Sequence, residues 1–141
     1  MTTQEVRNYL KQYKEADRRV KQLEREYDEE LDQIDLIRSP MDTDGTPHGS
    51  GIGRTTEQRA IALISKAEKL QTVRLEAIEI RQRVYENIRK IPGEPGAVLY
   101  ERYILLKKWE DIAYDLHYST RNIFILHQKA LEIASLCIVL Q

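Results

Sequence analysis

The run Trp109-Glu110-Asp111-Ile112-Ala113-Tyr114-Asp115-Leu116, His117-Tyr118-Ser119, Thr120-Arg121-Asn122-Ile123 decides how this chain is read. Trp109, Ile112, Ala113 and Leu116 fall on one face of a short helix. His117-Tyr118 makes a turn, and Ser119 has the side-chain oxygen that caps a helix N-terminus. A longer helix follows from Thr120, with Ile123, Leu126, Ala130 and Leu131 on its inward face. A two-turn helix, a three-residue turn and a longer helix make the helix-turn-helix plan. The small Ala113 lets the two helices cross closely, while Ile112, Leu116 and Ile123 fill the angle between them. In that plan the second helix enters a DNA major groove with its N-terminal residues leading. The amides of Thr120 to Asn122 point outward there and suit a phosphate.

Immediately upstream, Val98, Leu99, Tyr103 and Leu106 give one more amphipathic helix, which ends near Lys107-Lys108. Before it, Pro92, Gly93, Pro95 and Gly96 read as the end of a helix. Downstream, Ile133 to Leu140 is apolar nearly all round, including Leu136, Ile138, Val139 and Leu140. It extends the last helix and packs on the rest of the protein, or serves as an oligomer contact.

The first two thirds read differently. Val6, Tyr13, Val20, Tyr27 and Ile34 recur every seven residues, with Tyr9, Ala16, Leu23 and Ile37 three residues after members of that series. Glu30 interrupts the second row. This 3–4 alternation is a coiled-coil seam, and no Gly or Pro interrupts it between Met1 and Ser39. The helix would be about 50 Å long at 1.5 Å per residue. Ser39-Pro40 stops it, and residues 39–54 read as a flexible loop with Asp44-Gly45 as a turn signal. Thr55 and Gln58 have capping-box spacing. The helix that follows places Leu63, Leu70, Ala77, Val84 and Ile91 every seven residues, supported by Ala60, Ala67 and Ile88.

Two matched heptad helices joined by a loop fold back most simply as an antiparallel hairpin, although the same seams could pair between chains. Residues 24–35 hold seven acids against Arg25 alone, and the hairpin sets them beside Arg54, Arg59, Lys66 and Lys69. At the other end Arg7, Lys11, Lys14, Arg18, Arg19 and Lys21 fall near Arg81, Arg83, Arg89 and Lys90, a basic zone at the hairpin base. The expectation is an all-α protein: a coiled-coil-like helical hairpin over residues 1–91, then a helix-turn-helix domain over 92–141.

Composition bounds the function. The chain has 141 residues, 41% apolar and 32% charged, with 22 Lys plus Arg against 23 Asp plus Glu. The net charge of −1 gives no global sign of nucleic-acid binding. A single cysteine, Cys137, excludes an internal disulfide and a Cys-rich zinc site, and fits a reducing cytoplasm. No stretch approaches the roughly 18 apolar residues of a membrane span, and the polar, charged start does not read as a secretory signal. Gly49-Ser50-Gly51-Ile52-Gly53 follows no strand and lacks the Lys-Ser/Thr of a phosphate loop. His48, His117 and His127 have no partners at metal-ligand spacing, so surface polar roles are expected for them. Neither a metal nor another cofactor is implied, and nothing in the sequence points to an enzyme.

The run Arg102-Tyr103-Ile104, then Trp109-Glu110-Asp111-Ile112-Ala113, Leu116, Tyr118-Ser119-Thr120-Arg121, Ile123 and Ala130-Leu131 resembles region 4 of bacterial sigma factors. The whole chain resembles phage late-transcription regulators of the RinA and ArpU type, which place a helical region before a sigma-region-4-like end. The linker from Ser39-Pro40 to Gly51 is similar to that group as well.

The resemblance implies binding of double-stranded promoter DNA and activation of phage genes in the cytoplasm of a bacterial host, with host RNA polymerase as a partner. Carried over by position, Thr120, Arg121, Phe124 and Ile125 would read bases. Ser119 and Asn122 would add polar contacts at the same helix end. Lys129, Lys107 and Lys108 would meet phosphate or polymerase. An arginine such as Arg121 can take guanine O6 and N7 together, worth about 1–3 kcal/mol of discrimination.

Phe124 and Ile125 depart from the polar or basic residues usual in such a domain. Contact with thymine methyls accounts for them, and so does burial against another chain, as in a homodimer. From Pro92 onward there are five Lys plus Arg and six Asp plus Glu, so backbone neutralisation from this segment alone is weak. Two other readings stay open: a helical adaptor or assembly protein without a DNA role, and a phage DNA-packaging recognition subunit.

Overall fold

The computed structural model describes residues 1–38 and 55–138. Their regular structure is all helical, with no strand among the described residues. Helix α1 spans Thr3–Leu10, α2 Gln12–Arg38, α3 Thr56–Ile88 and α4 Gly93–Leu99. A π-helical turn, Tyr100–Ile104, follows, then α5 Trp109–Leu116 and α6 Thr120–Cys137. The expected loop over 39–54 lies outside the described residues. So do His48, Val139 and Leu140.

The helix starts follow from their caps. Thr2 and Glu5 form a reciprocal capping box at α1. Thr55 and Gln58 do the same at α3: the Gln58 amide donates to Thr55 Oγ1 at 3.2 Å, and the Thr55 amide donates to Gln58 Oε1 at 3.1 Å. Three local features differ from the reading of the sequence. The first helix is broken for one residue, Lys11, whose ψ of −10° tightens the turn while its amide still reaches the Arg7 carbonyl. Helix α3 ends at Ile88, and the chain reaches Ile91 through bonds of i→i−3 type from Lys90 to Asn87 and from Ile91 to Ile88.

The third difference is that Pro92-Gly93-Glu94-Pro95-Gly96 opens α4 as well as closing α3. Pro95 sits in the first turn, where an amide has no helical partner to lose. Gly93 enters at φ 74°, a conformation that a side chain would strain. A Cβ at Gly96 would stand 2.1 Å from the Ile91 carbonyl oxygen.

The described chain divides into two compact units, Met1–Arg18 with Glu76–Gln141, and Arg19–Leu75. This division differs from a boundary at residue 91. The physical reason is the main core, in which Val6, Leu10, Val84, Ile88 and Ile91 pack with Leu99, Tyr103, Ala130, Leu131 and Ala134. The first helix thus belongs to the same core as the last. Ile138 joins that core, whereas Leu136 is exposed. A second, smaller core of Val98, Ile112, Ala113 and Ile123 holds α5 against α6, with Trp109, Leu116 and Leu126 packed on it. These are the side chains whose spacing pointed inward. Burying each large aliphatic contributes about 1.5–3 kcal/mol.

In the Arg19–Leu75 unit, Arg74 pairs with Glu24 at 2.9 Å and Lys66 with Glu30 at 3.1 Å, while Arg59 donates to Gln33 at 3.4 Å. Positions fall along one helix as they rise along the other, which is the antiparallel sense. Glu30, the residue that interrupts the seam, is buried there. Its carboxylate takes the place of an apolar side chain because Lys66 reaches it.

Candidate functional site

The turn between α5 and α6 is built from local chemistry. His117 takes φ 61°, ψ 40°, the left-handed conformation that ends a helix. The amide of Tyr118 then reaches back to the Ala113 carbonyl at 2.9 Å. Ser119 is extended, and its Oγ accepts from the Asn122 amide at 3.2 Å. The Tyr118 hydroxyl donates to Glu94, which ties the turn to α4 and raises the tyrosine pKa.

Ser119, Thr120, Arg121 and Asn122 are all exposed at the start of α6. Phe124 and Ile125 are 47% and 50% exposed, so neither lies in the core of the chain itself. Phe124 leans edge-on to Trp109, ring centroids 5.1 Å apart. Lys129 and Lys108 are exposed, and Lys108 is the N-cap residue of α5. Lys107 stands apart from them. Its ammonium lies 2.8 Å from Asp115 and 2.5 Å from Glu101. Those hydrogen bonds, to Asp115 first and Glu101 second, hold its pKa above the usual lysine range. Its charge is largely matched within the protein.

A cavity of about 320 Å³ opens beside α6 within the same unit. Arg7, Lys11 and Lys14 line it from the first turns of the chain. Arg102, Trp109, Phe124 and His127 line it from the C-terminal elements. The Arg102 guanidinium lies 4.4 Å from the Trp109 ring centroid, within cation–π range, and donates to the Lys107 carbonyl at 2.8 Å. The π-helical turn and Leu106, at φ 56°, set this segment: the Leu105 amide bonds to the Tyr100 carbonyl at 3.1 Å, and the Lys107 amide to the Glu101 carbonyl at 3.1 Å.

His127 corrects an expectation. It is buried rather than a surface polar residue, because about two turns of α6 carry it under Trp109 and Tyr103. Its Nε2 and the Tyr103 hydroxyl are 2.7 Å apart. Burial, with Arg7 and Arg102 adding to it, lowers the imidazole pKa to about 4. Burial likewise raises that of Tyr103.

At the expected hairpin base the Asn87 side-chain amide donates to the Tyr9 hydroxyl, which brings the first helix beside the end of α3. Arg89 lies over Tyr85 and beside Glu86, and Arg18 beside Glu15. Arg7, Lys11 and Lys14 instead share the cavity with Arg102. Their spacing of four and three residues shows a common helix face, a signal present in the sequence. Nothing local showed that the face meets α6. No protein-family profile, curated protein or solved structure matches this chain.

Proposed function

We propose that this chain is a DNA-binding regulator of phage transcription, an activator that reads promoter DNA through α6 and works with host RNA polymerase. The observation that carries the reading is the exposed start of α6. Thr120, Arg121 and Asn122 stand on a capped helix end that follows a tight left-handed turn. Such an end can enter a major groove, with Arg121 reading a guanine and the free amides meeting a phosphate. Lys108 and Lys129 are the exposed lysines of the same segment and take the phosphate role. Lys107, already between two carboxylates, contributes less. Exposed Ile61, Ile64 and Leu75 on α3 support self-association as a dimer.

Fluorescence anisotropy on phage promoter fragments at two salt concentrations tests this. We expect salt-dependent binding that Arg121→Ala weakens by about 1–3 kcal/mol, while Lys129→Ala reduces the salt slope by about one. Absence of binding at low salt would overturn the reading. The exposure of Phe124, Ile125 and Tyr114, the last at 83%, favours a second reading as a helical adaptor that docks a protein through this face. Binding to a protein partner that Phe124→Ala abolishes, with no DNA binding, would select it.

A further inference from the structure

The cavity beside α6 is more than a gap between helices. Four cations face it, and no carboxylate stands among the described residues that line it. Arg7 bonds to the amide oxygen of Gln4, and Arg102 to a backbone carbonyl and the Trp109 ring. None of the four forms an ion pair among the described residues. Lys107, a few residues along from Arg102, shows the contrast, with a carboxylate on either side. Four like charges around a small volume repel one another, and an anion placed among them relieves that repulsion.

The rest of the lining is apolar and aromatic, with Trp109, Phe124 and Leu106 beside the cations. A ligand matching both halves has a flat ring and concentrated negative charge. One phosphate carries about −1.5 to −2 charges near neutral pH, so four cations match more than a single phosphate. The volume lies at the lower end of small-ligand sites, about 300–1,000 Å³.

We propose that this cavity, between the Arg7–Lys11–Lys14 face and the Arg102–Trp109–Phe124 face, is a binding site for a nucleoside polyphosphate. Its phosphates lie against Arg7, Lys11 and Lys14. Its base lies against Phe124 and the Trp109 side, where Arg102 retains N–H donors beyond the one given to the Lys107 carbonyl. The site adjoins the proposed DNA-reading face and shares Phe124 with it, whereas Thr120, Arg121 and Asn122 do not line it.

Trp109 is the chain's single tryptophan, so its fluorescence reports the cavity directly. The full chain is titrated with ATP, with excitation at the red edge where adenine does not absorb. Inorganic pyrophosphate, adenosine, a mixed-sequence duplex and an acidic peptide are titrated in parallel. The expected result is a saturable change with ATP, at least tenfold weaker with pyrophosphate or adenosine. In the double variant Lys11→Gln/Lys14→Gln the ATP response weakens at least tenfold. Both side chains are exposed, and an unchanged circular dichroism spectrum shows that the variant folds. No response to ATP overturns the proposal, as does equal affinity for pyrophosphate, which would mean that no base is bound. A response to duplex or peptide but not to ATP overturns it too, assigning the cations to a macromolecular partner.

Discussion

His127 is the residue on which pH acts most directly. Tyr103 and Trp109 pack on it, and Arg7 and Arg102 add positive charge nearby. The folded protein therefore holds the neutral imidazole down to about pH 4, against an ordinary value of 6.5. The unfolded chain binds the proton first, so stability is fully present above pH 6.5 and is lost as pH falls from there toward 4. The loss over that window is about 3 kcal/mol. Urea unfolding midpoints between pH 7 and pH 4 will show it, and His127→Gln will flatten that part of the profile. A second residue-scale prediction concerns His117, held at φ 61° and exposed. Left-handed geometry costs a non-glycine residue about 1–2 kcal/mol, part of which glycine loses again in chain entropy. His117→Gly should raise stability by about 0.5–1 kcal/mol, read as a higher thermal midpoint.

At the scale of elements, α4 depends on a residue with no side chain. A Cβ at Gly96 would overlap the Ile91 carbonyl oxygen at 2.1 Å, and backbone cannot move aside as a side chain can. Gly96→Ala must separate α4 from the end of α3, where Ile91 and Leu99 share the main core. A loss of about 2–4 kcal/mol in denaturant unfolding is expected, the range for overpacked sites and for backbone strain together. The same glycine made the sequence misleading here. Pro and Gly spaced as in residues 92–96 normally end a helix, and the end of α3 is indeed there. That they also begin α4 follows from the contact between Gly96 and Ile91, which no local pattern displays. The caps were legible for the opposite reason. Thr55 with Gln58, and Ser119 with the Asn122 amide, close within one turn of backbone.

At the scale of the whole molecule, the unit holding α6 is assembled from the two ends of the chain. Val6 and Leu10 are fully buried in a core that includes Leu131 and Ala134. A fragment of residues 92–141 lacks Val6, Leu10, Val84, Ile88 and Ile91, and should show no cooperative unfolding by circular dichroism. In the full chain Leu10→Ala should cost about 2–5 kcal/mol. The sequence by itself determined that the protein is helical, that Thr55 with Gln58 and Ser119 cap α3 and α6, and which faces of α5 and α6 turn inward. These depend on periodicity and on bonds spanning three or four residues. Only the tertiary structure decided that the first helix completes the core of the last, that His127 is buried, and that Arg7, Lys11 and Lys14 face Arg102 and Trp109. Those outcomes depend on which helix faces meet. Heptad spacing marks a face as apolar or charged, but its partner is selected by packing across the whole unit.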